Sequence, residues 1–413
     1  MTTLTQASAQ WASRPADQRF TSLTALHDHA LAIRRQSASK VVSSRALECR
    51  PALDNPRGGI EVFGANGVGY APTHHAFAQL AARANAPAAY LRTLPAPIAC
   101  DALNYGYKFG RQAEDVGVLI QRAPLANAHV STDAMAAPTR PGLMGDAQDA
   151  DVSAMLRQPI ADAKATPAAP VGSVNTMRAV TGPRYGRVWN HEITRQLTDR
   201  FGDGVSGDWR VPGEFGKAVD VTRENTTLYA SDRDMFVFLA DEVNRVRIAD
   251  RRNGEAGSLA RGFFVWNSEV GDKSLGVAMF LFDYACKNRI VWGARGFKEI
   301  KLRHTVSAPD RWLEEVAPVL NAYHDMAADP IENALRAAQA KRIDDLDAFL
   351  ASRNMAANMA SKMSAAHMLE EGRPIETLWD ATTALTAHAK TVAYQDERVA
   401  LERMAGSFID LAQ

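Results

Sequence analysis

RGFFVWNSEVGDKSLGVAMFLFDYACKNRIVWGARGFKEIKLRHT, running from Arg261 to Thr305, is the stretch on which the fold turns. Phe263, Phe264 and Trp266 form an aromatic run suited to a pleated, half-buried surface. Asn267-Ser268-Glu269-Val270-Gly271 then reads as a turn or bulge. Two further strand-like runs follow, Leu275 to Cys286 and Phe297 to His304. No helical pattern separates these runs, so they are expected to be antiparallel neighbours rather than parallel strands joined by crossover helices.

Upstream, Asp208–Val211, Thr226–Ala230 and Met235–Leu239 extend the same pattern, punctuated by Ser231-Asp232-Arg233-Asp234 and later by Arg252-Asn253-Gly254. Asn175–Thr181 reads as a strand, and a helix begins near Asn190 with Ile193, Leu197 and Phe201 on one face. Nearer the N-terminus the spacing predicts a helix over Leu23–Arg34, a strand over Lys40–Arg50, and a hairpin of Ile60–Phe63 with Val68-Gly69-Tyr70. Thr73 is a suitable N-cap for a helix carrying Phe77, Leu80 and Ala81, and Pro87 and Pro97 open two more. A strand over Val116–Arg122 closes this part.

Residues 123–174 are rich in alanine, proline, aspartate and glycine without a sustained period, the pattern of an insertion or linker. After Pro309 the chain turns to alanine, leucine, methionine and glutamate at helical spacing, as in Ile343, Leu346 and Leu350. Trp379, Thr382, Thr383 and Thr386 form one stripe of such a helix, best suited to packing. The expected fold is α+β: a mainly antiparallel twisted sheet with helices on one side, plus an α-helical C-terminal subdomain. The expected units are a mobile leader over 1–22, an α+β part over 23–122, the insertion over 123–174, a strand-rich core over 175–308 and a helical subdomain over 309–413.

With 413 residues, 46% of them hydrophobic and 23% charged, the chain has the composition of a globular protein. Lysine plus arginine equals aspartate plus glutamate at 47 each, so attraction to nucleic acid or anionic lipid must be local. Cys49, Cys100 and Cys286 are far apart and suit a reducing cytoplasm better than a disulfide framework. Neither a signal peptide nor an apolar run long enough to span a bilayer is present, so a cytoplasmic protein without a membrane partner is expected.

The local electrostatic signal lies in the strand block. Arg245, Arg247, Arg251, Arg252, Arg261 and Arg311 join Lys287, Arg289, Arg295, Lys298, Lys301 and Arg303 among Phe263, Phe264, Trp266, Phe280, Phe282, Tyr284, Trp292 and Phe297. Cations that neutralise phosphate beside rings that stack on bases suit single-stranded nucleic acid. Lys287, Arg289, Arg295, Lys298, Lys301, Arg303, Trp292 and Phe297 are the expected contacts. The competing reading is a solvated sheet face over an aromatic core. A second candidate is the polar cluster Asn267, Ser268, Glu269 and His304, although one carboxylate without a partner does not define acid–base chemistry, so no catalytic residue is assigned. His74-His75 and His27-Asp28-His29 lack metal-site spacing, and Gly64-Ala65-Asn66-Gly67-Val68-Gly69 lacks the lysine of a phosphate loop, so neither metal nor cofactor is expected.

Several segments together resemble a known family. Ala88–Pro95, Arg178-Ala179-Val180 with Tyr185–Asn190, Asn267–Gly271, Cys286-Lys287-Asn288, Arg303-His304-Thr305, Leu378-Trp379-Asp380 and Glu402–Gly406 are similar, in order, to the phage/plasmid-like proteins of unknown function. Lys287 departs from the threonine usual there, as do Thr382-Thr383 from the usual Asn-Ala, and residues 123–174 look like an addition. The resemblance transfers no reaction. It implies a phage or plasmid setting in a bacterial host cytoplasm, where DNA transactions are common. The expectation is therefore a mobile-element protein binding single-stranded DNA in annealing, recombination or replication support. An enzyme using the Asn267–Glu269/His304 cluster and a structural or host-inhibitory interaction protein are the alternatives, and a homo-oligomer is left open.

Overall fold

Two sheets organise the chain in the computed structural model, which describes residues 15–52, 59–64, 67–110, 114–122, 175–211, 220–224, 226–248, 257–283, 289–290, 300–326, 329–392 and 395–412. Residues 1–14 of the expected leader, and the insertion 123–174, lie outside that set. The end of the leader departs from expectation. Arg19–Phe20 forms strand β1 and pairs with Tyr229 and Leu228 of the larger sheet. Helix α1, Leu23–Gln36, follows, capped by the Ser22 hydroxyl accepting from the Ala25 amide.

The smaller sheet contains, among the described residues, six strands: β2 (Ser37–Ser43), β3 (Glu48–Pro51), β4 (Ile60–Phe63), β5 (Gly69–Pro72), β6 (Asp115–Gln121) and β7 (Thr176–Thr181), in the order β2-β6-β7-β5-β4-β3. The single strand expected over Lys40–Arg50 is broken by a 3-10 turn at Ser44–Ala46. That turn joins opposite edges of the sheet. Its five residue steps reach about 17 Å, whereas six flat strands would part their edges by about 24 Å, so the sheet must curl. The hairpin β4–β5 forms as the sequence predicts, with Val62 opposite Tyr70.

Strands β5 and β7 are parallel, an exception to the antiparallel expectation, because helices intervene between them in the chain. These are α2 (His74–Arg83), capped by Thr73, then α3 (Ala88–Leu91) and α4 (Ala96–Tyr105). Phe77, Leu80, Leu91 and Leu103 pack with Val62, Val116 and Val180 in one core. Strand β7 belongs to this sheet through β6, so the division between sheets does not follow the expected limits 23–122 and 175–308.

The larger sheet is antiparallel and has nine strands among the described residues: β1, β8 (Trp209–Arg210), β9 (Leu228–Ala230), β10 (Met235–Asp241), β11 (Val246–Ile248), β12 (Gly257–Asn267), β13 (Leu275–Asp283), β14 (Arg289–Ile290) and β15 (Ile300–Leu302). Alternation decides its two faces. Val237, Leu239, Phe263, Val265 and Val277 share a core with Leu23 and Leu26 of α1 and with Ile193, Leu197 and Phe201 of α5 (Asn190–Phe201). Further along the same face, Leu259 and Leu281 meet Ile331, Leu335, Trp379 and Ile409 of the C-terminal helices. The helices therefore lie on one side, as expected. On the other side the rings pack on each other, Phe238 against Phe280 at 4.7 Å and Phe264 against Phe280 at 5.5 Å.

The C-terminal part is helical. Leu378–Ala389 is buried around nearly its whole circumference, not only along the Trp379–Thr386 stripe, and starts with a capping box between Thr377 and Asp380. No helix among the described residues is long and apolar enough to cross a membrane.

Candidate functional site

The turn after β12 is where the two sheets meet. Asn267 and Ser268 are fully buried and Glu269 is 2% exposed. Asn267 Nδ2 donates to the Val188 carbonyl at 2.9 Å and to Asn190 Oδ1 at 2.7 Å. Ser268 donates to the Arg233 carbonyl at 2.6 Å and accepts from the Asp272 amide at 3.0 Å. Glu269 Oε1 accepts from the Asn190 amide at 2.8 Å, at the first residue of α5, where helix-terminal N–H groups favour an anion. Its Oε2 lies 2.9 Å from Arg178 Nη2, an ion contact that falls short of hydrogen-bond geometry. Arg178 comes from β7 of the smaller sheet and also donates to Ser37 at 3.3 Å. The turn expected here thus forms, and its carboxylate ties the smaller sheet, the larger sheet and α5 together.

His304 joins this neighbourhood through Tyr185 and not through Glu269. The Gly186 amide donates to the His304 carbonyl at 3.1 Å, and His304 Nδ1 meets the Gly186 carbonyl at 3.0 Å. A Cβ at Gly186 would sit 1.7 Å from the Thr305 carbonyl oxygen, so only glycine permits this approach. The Tyr185 ring stacks on His304 with centroids 4.8 Å apart, and its hydroxyl donates to the Ser268 carbonyl at 2.7 Å. Arg187 places its guanidinium 5.3 Å from the Tyr185 ring and 5.5 Å from the Trp189 ring, while Arg34 lies 4.2 Å from Trp189. Such contacts with a cation contribute about 2 kcal/mol or more when desolvated.

Burial sets the electrostatics. It lowers the pKa of His304, of His29, where Arg178 adds to the effect, and of His191. It also lowers that of Arg187 and raises that of Tyr185. Beside Tyr185 the seam opens into a cleft of about 410 Å³, lined also by Gln79, Ala82, Val180, Thr181 and Gly271. Gln79 stitches the cleft wall, donating to the Val270 carbonyl at 2.8 Å and accepting from the Val180 amide at 2.7 Å.

The basic edge is a separate place. Lys301, on β15, is exposed and stands opposite Gly276, which stands opposite Trp266. A Cβ on Gly276 would lie 1.9 Å from the indole, so the missing side chain is what lets Trp266 lie there. Arg303 is exposed just beyond the strand. Arg289 opens β14 opposite Phe282, while Lys287, Trp292, Arg295, Phe297 and Lys298 lie outside the described residues. Arg245 and Arg247 are exposed as well, whereas other members of the basic and aromatic set are core. Arg261 is 4% exposed and pairs with Asp241 at 2.6 Å, and Phe263, Phe264 and Phe280 are buried.

Sequence reading missed Arg178, Tyr185 and Arg187 as site residues. A signal was present in the alternation of Tyr185, Arg187 and Trp189, which in extended backbone sends ring, cation and ring to one side. His74 meets Arg233 at 2.9 Å, and His75 meets Gln79 at 3.0 Å and Asp272 at 3.7 Å; among the described residues no metal-holding group of histidine, cysteine and carboxylate forms. Cys49 and Cys100 are buried free thiols. No protein-family model, no curated protein and no solved structure matches this chain.

Proposed function

We propose that the chain binds single-stranded nucleic acid without catalysis, as a DNA-transaction protein of a mobile element in annealing, recombination or replication. The observation that carries this reading is the cross-strand row Lys301, Gly276, Trp266, on the sheet face opposite the helices and next to the exposed Arg303. An ammonium for phosphate and a partly exposed indole for base stacking are the two elements that sequence-tolerant strand binding uses. The burial of Glu269, with Oε1 accepting from the Asn190 amide and Oε2 in ion contact with Arg178, supports the non-catalytic part, because a general base must be within reach of the proton it takes. The phage or plasmid setting rests on the family resemblance.

Salt dependence tests the reading. Each single-strand phosphate contact contributes about 0.7 to the slope of log affinity against log salt. The Lys301→Ala/Arg303→Ala double variant is expected to lose about 1.4 of that slope, and Trp266→Leu to lose affinity with the slope unchanged. A wild-type protein with no affinity for oligonucleotides at low salt, or a double variant with the wild-type slope, would overturn it.

A further inference from the structure

Among the described residues, Arg187 is a buried charge with no ion-pair partner of its own. It is 8% exposed, and its Nε and Nη1 groups are buried without a hydrogen-bond acceptor. Tyr185 and Trp189 pack rings beside the guanidinium, but rings accept no N–H hydrogen bond of ordinary strength. The carboxylate whose charge it feels, Glu269, is already held by Arg178 and the Asn190 amide. Two guanidinium groups, Arg178 and Arg187, against the single carboxylate of Glu269 leave this cluster with one positive charge in excess.

His304 beside it directs its Nδ1 hydrogen to the Gly186 carbonyl, and burial disfavours its charged form, so it adds no charge to the cluster. Tyr185, whose ring lies 5.3 Å from the Arg187 guanidinium, also lines the cleft of about 410 Å³, so the cleft reaches the neighbour of Arg187 and not Arg187 itself. Arginine is suited to oxyanions because its planar N–H array matches their oxygens.

We propose that Arg187 anchors a binding site for a phosphate-type oxyanion that enters the seam beside Tyr185. The phosphate can belong to a small molecule or to the end of a nucleic-acid strand. The site is separate from the Lys301 edge and does not depend on it.

The test is a thermal titration of the full chain with inorganic phosphate at constant ionic strength, on wild type, Arg187→Met and Arg187→Lys. General salting effects move all three alike. Beyond that shared shift, a bound anion moves the wild-type midpoint upward with each increment of phosphate and gives Arg187→Met no further rise. Without phosphate, Arg187→Met is expected to be at least as stable as wild type, since it removes an unpaired buried cation; a merely structural arginine would show the opposite. Arg187→Lys keeps the charge and should retain weakened binding, so the question stays open to test even where the methionine variant folds poorly. Loss of Arg187 should cost at least about thirty-fold in affinity.

A second arm identifies the source. Should a 5′-phosphorylated oligonucleotide bind in an Arg187-dependent way while its 5′-hydroxyl counterpart does not, the phosphate belongs to a strand end. Dependence with inorganic phosphate alone assigns it to a small ligand. Equal response of all three proteins in both arms would overturn the proposal, whereas the Lys301→Ala/Arg303→Ala variant should leave phosphate binding unchanged.

Discussion

Glu269, in the turn after β12, and Lys301, at the centre of β15, are charged residues of one sheet that live under opposite physics. Glu269 is buried, with partners from β7 and α5, and its removal would strand Arg178 in a low-dielectric seam. Lys301 stands in solvent, where its charge costs little to keep. Buried charge therefore specifies how the two sheets meet, while exposed charge costs the fold little to keep or to lose.

The largest expected effect that could break this contrast is at Glu269. Glu269→Gln should destabilise by about 3–5 kcal/mol in urea unfolding, because it leaves Arg178 uncompensated. The double variant Arg178→Met/Glu269→Gln should lose less than the sum of its single variants. A Glu269→Gln protein as stable as wild type but selectively inactive would make the carboxylate a reacting group.

Next in size is removal of residues 123–174. Gln121 pairs with Thr176, so the two ends of this segment already sit side by side on adjacent antiparallel strands. Replacing it with a short turn should preserve cooperative unfolding, and shortening the loop can add up to about 2 kcal/mol. An insoluble or non-cooperative product would show that β7, which carries Arg178, needs that segment.

Acidification should reveal the seam and not the edge. Burial lowers the pKa of His29 and His304 below the value of about 6.5 that an unfolded chain has. The unfolded state then takes up protons first as pH falls. The stability these neutral rings contribute is complete above about pH 6.5 and is lost as pH drops through the folded values. Thermal midpoints between about pH 8 and pH 5 should decline, and His304→Gln should make the decline shallower. The smallest effect belongs to the edge: Lys301→Ala/Arg303→Ala should alter stability by less than about 0.5 kcal/mol.

Much of the fold was legible in residue order. Period-2 alternation in β12 and β13, the Gly67 hairpin, the Thr73 cap and the Asn190 helix start all depend on neighbours a few residues away, and all form. The break at Ser44–Ala46 and the pairing of Arg19–Phe20 with β9 were not legible, since both answer to strands far along the chain. The polar turn was found by composition, but its meaning was not. Asn267, Ser268 and Glu269 suit a solvated turn equally well until Arg178, Asn190 and Tyr185 arrive from other elements.

What the sequence by itself determined is the α+β class, the antiparallel strand block and the helical C-terminal part, because backbone propensity and side-chain periodicity are local. Only the tertiary structure decided which charges are buried. Arg187, Arg261 and Lys301 carry the same charge in the sequence, yet one is buried beside two rings, one is paired with Asp241 in the core and one is exposed. A charge takes its energy from what surrounds it, and those surroundings are assembled from segments that the sequence keeps far apart.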